Sequence, residues 1–338
     1  MSIRDSLEKQ SFQRVRKLYP GATVSVLLAL AAYALSQNYG APVMLFALLL
    51  GMAVNFLGED ERCGPGIEFC SKSVLRAGVA LLGLRVTAGH LMDLGWTPAL
   101  LVVAAVVLTT ALGALLGRML GLGAKLGVLT GGSVAICGAS AAIAISSVLP
   151  DREQADKQLV FTIIGVTALS TLAMIIYPAF ATLLGLTDVA AGVFLGGTIH
   201  DVAQVVGAGY SVSDRAGDLA TIVKLLRVAM LVPMVVAIMY LFRHRASGGT
   251  AKFPGFLFVF IGLAALNSFG LVPEVLTNFG NSLSRACLVT AIAAVGMQTA
   301  LREVARVGWP PVMLMLAETA FIAALVLTGY MWLRPGLG

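Results

Sequence analysis

Charged residues are scarce in this chain. They make up only 12% of its 338 residues, whereas 58% are hydrophobic and the mean hydropathy is +0.91. A typical soluble domain has about a quarter of its residues charged, because its surface faces water. The shortage of charge therefore excludes a soluble enzyme or a soluble binding module. No polar stretch is long enough to form a separate soluble domain.

Cysteine and histidine are also few, with four and three residues. The cysteines form no CxxC pair and no histidine completes a metal site, so neither structural zinc nor a disulfide framework is indicated. The sequence has no Walker motif, GxSxG elbow or HExxH motif. We therefore expect no cofactor, no metal, no ATP-driven transport by this chain and no enzyme activity. The basic residues responsible for the net charge of +6 lie in short loops, so a nucleic-acid partner is not indicated.

Apolar segments of roughly membrane-crossing length recur along the whole chain. A helix of about 17–25 apolar residues crosses a hydrocarbon core of about 30 Å. Nothing alternates with period two, which leaves helices rather than a barrel. The sequence predicts an all-α, polytopic helical membrane protein with about ten or eleven transmembrane helices, in contact with lipid. The predicted segments are 19–37, 41–57, 70–86, 97–117, 124–148, 158–184, 188–208, 217–242, 254–270, 283–300 and 310–333.

The basic residues indicate an orientation. Residues 1–18 form a basic tail that we expect to be cytoplasmic, followed by a single integral membrane domain over residues 19–338. With the tail inside and the loops alternating, thirteen Lys and Arg residues fall on the inner side and five on the outer side. The positive-inside rule therefore predicts a cytoplasmic N-terminus and an outer C-terminus.

An internal repeat gives further organisation. Residues 84–98 (LRVTAGHLMDLGWTP) resemble residues 297–311 (MQTALREVARVGWPP) at a shift of 213, and the likeness extends over 71–120 and 284–333. The two copies lie seven predicted crossings apart, and an odd spacing reverses their direction. The sequence thus predicts an inverted-topology repeat, which is typical of many secondary transporters.

Two glycine-rich stretches look unlike ordinary membrane helices. Each has a glycine pair followed by a hydroxyl residue. Adjacent glycines permit a helix break, and a half-helix that begins inside the membrane directs its positive end at an anion. The alternative is that small residues only allow close helix packing. The two stretches lie two crossings apart and share a direction unless one is re-entrant, a question that the sequence leaves open. The candidate residues are Gly131, Gly132, Ser133, Cys137, Ser140, Gly196, Gly197 and Thr198.

Polar and charged residues at membrane depth are the strongest functional signal. Such groups are costly in lipid and usually line a site or a relay. Lys224 and Arg227 lie three residues apart on one helix face and need an anionic partner. That partner could be Asp201, Asp218, Glu318 or a bound anion, and the alternative is that the two cations snorkel to the interface. The remaining candidates at this depth are His200, Asp201 and Gln204, with Asn267, Gln298 and Glu318 as weaker ones.

The motifs GGSVAICGASAAIA, GGTIHDVAQVVGAG and DLATIVKLLRV, with PGIEFCSKSVLRAGVALLGLRVT before them, resemble the YeiH-type family. These are bacterial inner-membrane proteins that carry a sulfate-exporter label. The resemblance implies ten or eleven helices with crossing discontinuous ones, as in the superfamily of bile-acid symporters and sodium/proton antiporters. It also maps the family's polar residues onto a set in this chain, with Ala139 and Asp201 where the family often has Asn and Glu. That set is Ser133, Cys137, Ser140, His200, Asp201, Gln204, Lys224 and Arg227.

We therefore expect a secondary transporter that moves a small anion such as sulfate outward by alternating access, coupled to H⁺ or Na⁺. In this hypothesis Lys224 and Arg227 neutralise the anion, and His200 with Asp201 handles the coupling ion. One alternative is a cation/proton antiporter that uses Asp201. Another is an intramembrane hydrolase that pairs Ser133 or Ser140 with His200, and a third is a purely structural protein. A homo-oligomer is compatible with the sequence.

Overall fold

The computed structural model describes residues 3–85, 95–150, 152–242, 255–299 and 309–333. All regular structure in these ranges is helical, and the predicted all-α class is confirmed. The first seven α-helices are α1 (Ile3–Tyr39), α2 (Val43–Ala53), α3 (Gly64–Phe69), α4 (Leu75–Leu81), α5 (Thr97–Met119), α6 (Ala124–Ala135) and α7 (Ala139–Ser146). The next eight are α8 (Arg152–Leu183), α9 (Asp188–Thr198), α10 (Val202–Val212), α11 (Asp214–Ala229), α12 (Leu231–Leu241), α13 (Gly255–Ser268), α14 (Glu274–Gln298) and α15 (Trp309–Leu333).

Six apolar stretches in the described residues are long enough to cross a membrane, and every segment predicted from the sequence contains at least one helix. The stretch over 214–241 joins α11 and α12. The apolar lengths therefore support a polytopic membrane protein. The six stretches are Arg16–Tyr39, Thr97–Met119, Gln158–Leu183, Asp214–Leu241, Glu274–Gln298 and Trp309–Leu333.

The chain divides into two compact units where the sequence predicts a single membrane domain. Unit 1 comprises residues 1–86 and 258–300, and unit 2 comprises residues 87–257 and 301–338. Unit 1 is built on close helix contacts at small residues. A Cβ on Gly66 would lie 2.2 Å from the Leu18 carbonyl oxygen, so α1 and α3 touch backbone to backbone. The Ser284 hydroxyl of α14 donates to the Gly78 carbonyl oxygen of α4 over 2.7 Å.

Unit 2 contains the candidates of the two glycine-rich stretches together with Lys224, Arg227 and Glu318, whereas the weaker candidates Asn267 and Gln298 lie in unit 1. In unit 2, helices α5 and α15 pack antiparallel: Gly113 of α5 meets Glu318, and Leu101, a dozen residues earlier, meets Gly329. These two helices are also counterparts in the predicted repeat, since the Gly-Trp pair at 95–96 precedes α5 and the pair at 308–309 stands at the start of α15. Two inverted copies would run in opposite directions, as these helices do. The repeat itself remains a prediction.

The predicted segment 124–148, segment five of the eleven, is a helical hairpin and not one continuous helix. Helix α6 ends at Ala135, and α7 starts at Ala139 after a turn at Gly138, whose φ is +61°. A Cβ on Gly132 would lie 2.4 Å from Cδ1 of Ile145. Residues thirteen apart in one straight helix are separated by about 20 Å, so α7 must fold back on α6. We call residues 124–146 hairpin 1 and residues 136–138 tip 1.

The predicted segment 188–208, segment seven of the eleven, is a second hairpin. Helix α11 packs against both of its arms. Along α9, Gly192 meets Leu219 of α11, and Gly196 meets Val223, so α9 and α11 run parallel. Along α10 the order reverses, because Gly209 meets Gly217. Helices α9 and α10 are therefore antiparallel to each other. We call residues 188–212 hairpin 2 and residues 199–201 tip 2.

The two hairpins enter unit 2 from opposite ends. Helix α6 runs antiparallel to α5, since Gly127 meets Gly113. Helix α15 runs antiparallel to α9, since Thr319 contacts His200 and Val326 meets Gly197. Because α15 is also antiparallel to α5, α6 and α9 point in opposite directions. Both stretches thus fold back as hairpins and point in opposite directions, an arrangement that predicts two re-entrant segments of inverted orientation.

Re-entrant hairpins also sharpen the predicted orientation. If segment five returns to the side from which it enters, Arg152 and Lys157 move from the outer to the inner side. The count of thirteen against five then becomes fifteen against three, in better agreement with the positive-inside rule. The cytoplasmic N-terminus remains a prediction.

Cysteine labelling of intact cells tests the two hairpins. In a variant whose four native cysteines are replaced by Ser, we expect Gly121→Cys and Pro150→Cys to react from one side of the membrane. We expect Gly185→Cys and Ser213→Cys to react only from the other side, because each pair flanks one hairpin. Labelling of the residue-121 and residue-150 positions from opposite sides would show that segment five crosses.

Candidate functional site

Lys224 of α11 joins the tips of both hairpins. Its side chain is fully buried. The ammonium group donates to the Ile136 carbonyl oxygen of tip 1 over 2.7 Å and to the Ile199 carbonyl oxygen of tip 2 over 3.0 Å. It also donates to the His200 carbonyl oxygen. All three donors of this ammonium are thus directed at backbone oxygens.

Arg227 lies one turn further along α11 and directs four of its five N–H donors at backbone carbonyl oxygens. Nε donates to the Ala135 carbonyl oxygen over 2.7 Å and Nη2 to the Val134 carbonyl oxygen over 2.6 Å, both at the end of α6. Nη1 donates to the Ile199 carbonyl oxygen over 2.9 Å and to that of Gly196 over 3.2 Å, at the end of α9. The planar guanidinium is suited to bridging several oxygens at once.

These carbonyls are the ones that two helices leave unpaired. The last four C=O groups of a helix have no partner within it, and together they carry about half a negative charge. Two such ends lie inside unit 2, and one cation pair satisfies both. The sequence suggested a carboxylate or a bound anion as the partner of Lys224 and Arg227, whereas the structure gives them helix C-termini. Their burial also removes the alternative that they snorkel to an interface.

His200 lies at tip 2 with both ring nitrogens in polar contact. Nδ1 lies 3.1 Å from the Val134 carbonyl oxygen, and Nε2 lies 3.0 Å from the Thr319 hydroxyl oxygen. The ring therefore connects hairpin 2 to the end of α6 and to α15. The Thr319 hydroxyl is also 2.7 Å from the Met315 carbonyl oxygen. Because a hydroxyl has one proton to donate, it can serve Met315 or His200 but not both.

Asp201 begins the second arm of hairpin 2. Its carboxylate accepts from the Ala203 N–H over 3.4 Å and caps α10, as Asp commonly does at the start of a helix. Its own N–H donates to the Ser170 hydroxyl oxygen of α8 over 3.0 Å. The carboxylate is partly exposed, whereas the neighbouring His200 is fully buried. Asp201 thus has a positional role in addition to its charge.

The glycine pairs do not break the helices, which corrects the expectation from the sequence. Helix α6 continues through Gly131 and Gly132 to Ala135, and α9 continues through Gly196 and Gly197 to Thr198. A Cβ on Gly196 would lie 2.3 Å from the Ala220 carbonyl oxygen, and one on Gly131 would lie 2.9 Å from that of Thr109. These glycines allow close packing, which was the alternative interpretation. The breaks lie a few residues later, at the tips.

The remaining predicted residues lie around the tips with different surroundings. The hydroxyls of Ser133 and Thr198 donate within their own helices, to Leu129 and Phe194 over 2.5 and 2.6 Å. Cys137 is buried in tip 1, and Ser140 is exposed in the first turn of α7. The Gln204 amide of α10 is buried, and neither its oxygen nor its nitrogen has a hydrogen-bond partner in the described part of the chain.

The groups at the tips themselves, counted without Glu318 of α15, leave a positive surplus. Lys224 and Arg227 contribute two positive charges, and Asp201 contributes one negative charge. The ends of α6 and α9 contribute about −0.5 each, and the starts of α7 and α10 about +0.5 each. The helix ends cancel, so the surplus is about one positive charge. A buried net charge is costly in a low-dielectric interior, and a small anion would neutralise it.

Sequence reasoning missed the residues that hold the tips in place. Ser170 and Thr319 are ordinary hydroxyl residues in apolar helices, and their sequence neighbourhood gives no sign of their contacts. Ser170 contacts Asp201 from 31 residues away, and Thr319 contacts His200 from 119 residues away. Asp201 itself offered a signal, because an N-cap residue in the middle of an apolar segment predicts a new helix start.

Comparisons with known proteins place the chain in a family. Residues 20–315 match the family described as conserved hypothetical protein 698. The chain belongs to this family. Its relatives include a UPF0324 membrane protein of Chlorobaculum tepidum, 53% identical over 326 residues that cover 95% of this chain and 91% of the relative. The UPF0324 membrane protein TauZ of Paracoccus pantotrophus is 52% identical over 322 residues, covering 93% and 95%.

A third relative, a UPF0324 membrane protein of Rhizobium meliloti, is 51% identical over 332 residues and covers 96% of both chains. The resemblance to the YeiH-type family is therefore confirmed, and so is the assignment to a membrane. The relatives come from bacteria. Location in the inner membrane remains a prediction. No solved structure matches this UPF0324 chain.

Proposed function

We propose that this protein is a secondary transporter of a small anion, such as sulfate or a related sulfur oxyanion. Transport would be coupled to H⁺ or Na⁺ and would proceed by alternating access. One observation carries the proposal: two re-entrant hairpins meet inside unit 2, and the groups at their tips sum to about one positive charge. Broken helices that meet inside the membrane are typical of transporter binding sites.

The start of α7 is the best candidate for direct anion contact. Its cap residue is Gly138, which provides no side-chain hydrogen bond to the first turn. Free N–H groups at a helix start bind anions readily. Ser140 lies in that first turn with an exposed side chain, so its hydroxyl can donate to the same anion. At tip 2, by contrast, Asp201 already occupies the start of α10.

The coupling ion is assigned to the groups of tip 2. Nδ1 of His200 donates its proton to the Val134 carbonyl oxygen, and Nε2 can accept from the Thr319 hydroxyl or, when protonated, donate to it. The Asp201 carboxylate lies next to it in the chain. In this proposal Lys224 and Arg227 do not bind the anion directly. They hold the two helix ends together and supply the field that attracts the anion.

Thermal melting in detergent tests the anion site. We expect sulfate or sulfite to raise the melting temperature of the wild type, because a ligand at about 100 times its Kd stabilises the folded state by about 2.7 kcal/mol. Sodium chloride at equal ionic strength is the control. Gly138→Ala should lose the anion response, since a side chain at φ +61° and ψ −124° distorts tip 1. A response to sodium alone would contradict the proposal.

A cation/proton antiporter is the second candidate, and the Asp201 carboxylate beside a buried histidine favours it. The hydrolase alternative receives no such support, because the His200 ring contacts Val134 and Thr319 and the Ser133 hydroxyl donates to Leu129. The antiporter requires Asp201 to bind a cation in a site that already has a positive surplus. The anion transporter is therefore the better explanation of the charges.

A further inference from the structure

A fully buried carboxyl group lies one residue from the contact with tip 2. Glu318 is in the middle of α15 and its side chain is fully buried. Its Oε1 lies 2.8 Å from the Thr130 hydroxyl oxygen of hairpin 1. Its Oε2 is buried and has no hydrogen-bond partner among the described residues. A buried carboxylate without a full set of hydrogen bonds is energetically costly, and such groups at membrane depth usually have a functional role.

The helix opposite Glu318 leaves room for this carboxyl. A Cβ on Gly113 of α5 would lie only 2.5 Å from Glu318 Oε1. Any larger residue at this position would displace the carboxyl from its contact with Thr130. The carboxyl therefore lies in a space between α5, α6 and α15 that only a glycine leaves open. The same Cβ would lie still closer to the Gly127 carbonyl oxygen, so Gly113 allows both the close packing of α5 on α6 and the space for the carboxyl.

The Thr130 hydroxyl can serve both protonation states of the carboxyl. It lies 3.1 Å from the Leu126 carbonyl oxygen and 3.3 Å from that of Gly127. When Glu318 is ionised, the hydroxyl can donate to the carboxylate. When Glu318 is protonated, the acid can donate to the hydroxyl, which then donates to Leu126. A proton can thus bind to Oε1 or leave it while the hydrogen bond between Glu318 and Thr130 is kept.

The charged groups around Glu318 are few and belong mostly to the tips. Tip 2 brings His200, which contacts the adjacent Thr319, and behind it lie Lys224, Arg227 and Asp201. Among the helices packed on α15, α5 carries its one charged residue near its end and α6 carries Lys125 near its start. The charged residues of α8 lie in its first turns, and that of α9 is its first residue.

We propose that Glu318 is a further proton-binding group for the anion's coupling ion, in addition to the groups of tip 2, an inference that rests on the proposed function. With Glu318 ionised and no anion bound, the surplus of about one positive charge is cancelled. With a monovalent anion such as hydrogen sulfite bound, one proton on a Glu318 oxygen restores the same balance. A divalent anion such as sulfate needs a second proton, on His200 or Asp201. Either partner alone leaves a buried net charge, which is costly. The protein then changes conformation readily when both or neither are bound, which couples the two flows.

Infrared difference spectroscopy during a pH titration tests proton binding without any substrate. We expect the wild type to show the C=O band of a buried carboxylic acid, and Glu318→Gln to lack it. Glu274→Gln, which alters an exposed carboxyl at the start of α14, should keep the band. Thr130→Val should shift the band, because it removes the hydrogen-bond partner, and it serves if Glu318→Gln fails to fold. Identical spectra for the wild type and Glu318→Gln would overturn the proposal.

Flux in proteoliposomes tests the coupling. Glu318→Gln should still exchange labelled sulfite for unlabelled sulfite but should lose accumulation driven by a pH gradient, while Glu274→Gln keeps both. Gradient-driven accumulation equal to that of the wild type would overturn the coupling role, and so would a wild type driven only by sodium. If the wild type moves no anion, the proposed function fails, and the infrared result still decides separately whether Glu318 binds a proton.

Discussion

Arg227→Gln is expected to lower the free energy of unfolding by about 3–5 kcal/mol, the range seen when one partner of a buried charged network is removed. The guanidinium places four donors on carbonyl oxygens at the ends of α6 and α9. A Gln amide is shorter and has two donors on a single nitrogen. The carbonyls left behind would be buried without partners, at about 1–3 kcal/mol each. Melting in detergent measures the loss.

Arg118→Gln is the matched control, since Arg118 is exposed at the end of α5 in the same unit, and its melting temperature should change little. Arg227→Lys should recover only part of the stability, because a point charge cannot reach four oxygens. An unchanged melting temperature for Arg227→Gln would contradict the structural role. Because Lys224 and Arg227 both hold the tips, loss of flux in a double variant of these two residues would also report damage to the tips.

Asp201→Asn is expected to abolish gradient-driven anion accumulation with little effect on folding. Asn caps a helix about as well as Asp, so α10 should keep its start. The substitution removes one negative charge from the tips, and the surplus would rise from about one to about two positive charges. The site would then bind the anion more tightly, and the anion and the coupling ion together would no longer neutralise its charge. Flux and binding in proteoliposomes measure both effects.

Asp188→Asn is a suitable control because Asp188 is an exposed acid in the first turn of α9. It should leave both flux and binding unchanged. Normal accumulation by Asp201→Asn would exclude this carboxylate from coupling. Weaker anion binding in that variant would show that Asp201 does not oppose the anion, and the charge balance given above would be wrong.

The helix positions could be predicted from the sequence because apolar length and turn residues determine them. The segment predicted at 97–117 is helix Thr97–Met119, and that at 310–333 is helix Trp309–Leu333. The re-entrant hairpins could not be predicted in this way. An apolar run of about 25 residues has the same composition whether it crosses the membrane or folds back midway.

The sequence indicates which charged residues lie together at the tips, but it does not indicate which groups they contact. Charged residues at membrane depth indicated that Lys224, Arg227 and the tip 2 residues have a common site, and the structure brings them together. Their partners are backbone carbonyls, and a sequence cannot show which helix ends a cation meets 88 or 93 residues away. The contact of Glu318 with Thr130 could not be predicted, because the two residues lie 188 positions apart in the chain.

The most direct test is anion flux by the wild-type protein in proteoliposomes loaded with labelled sulfate or sulfite under imposed pH and sodium gradients. Reversing each gradient also tests the expected outward direction. We predict anion movement that follows one of the two gradients and stops when it is collapsed. An absence of anion movement, together with exchange of sodium for protons that depends on Asp201, would contradict the proposal and establish the cation/proton antiporter.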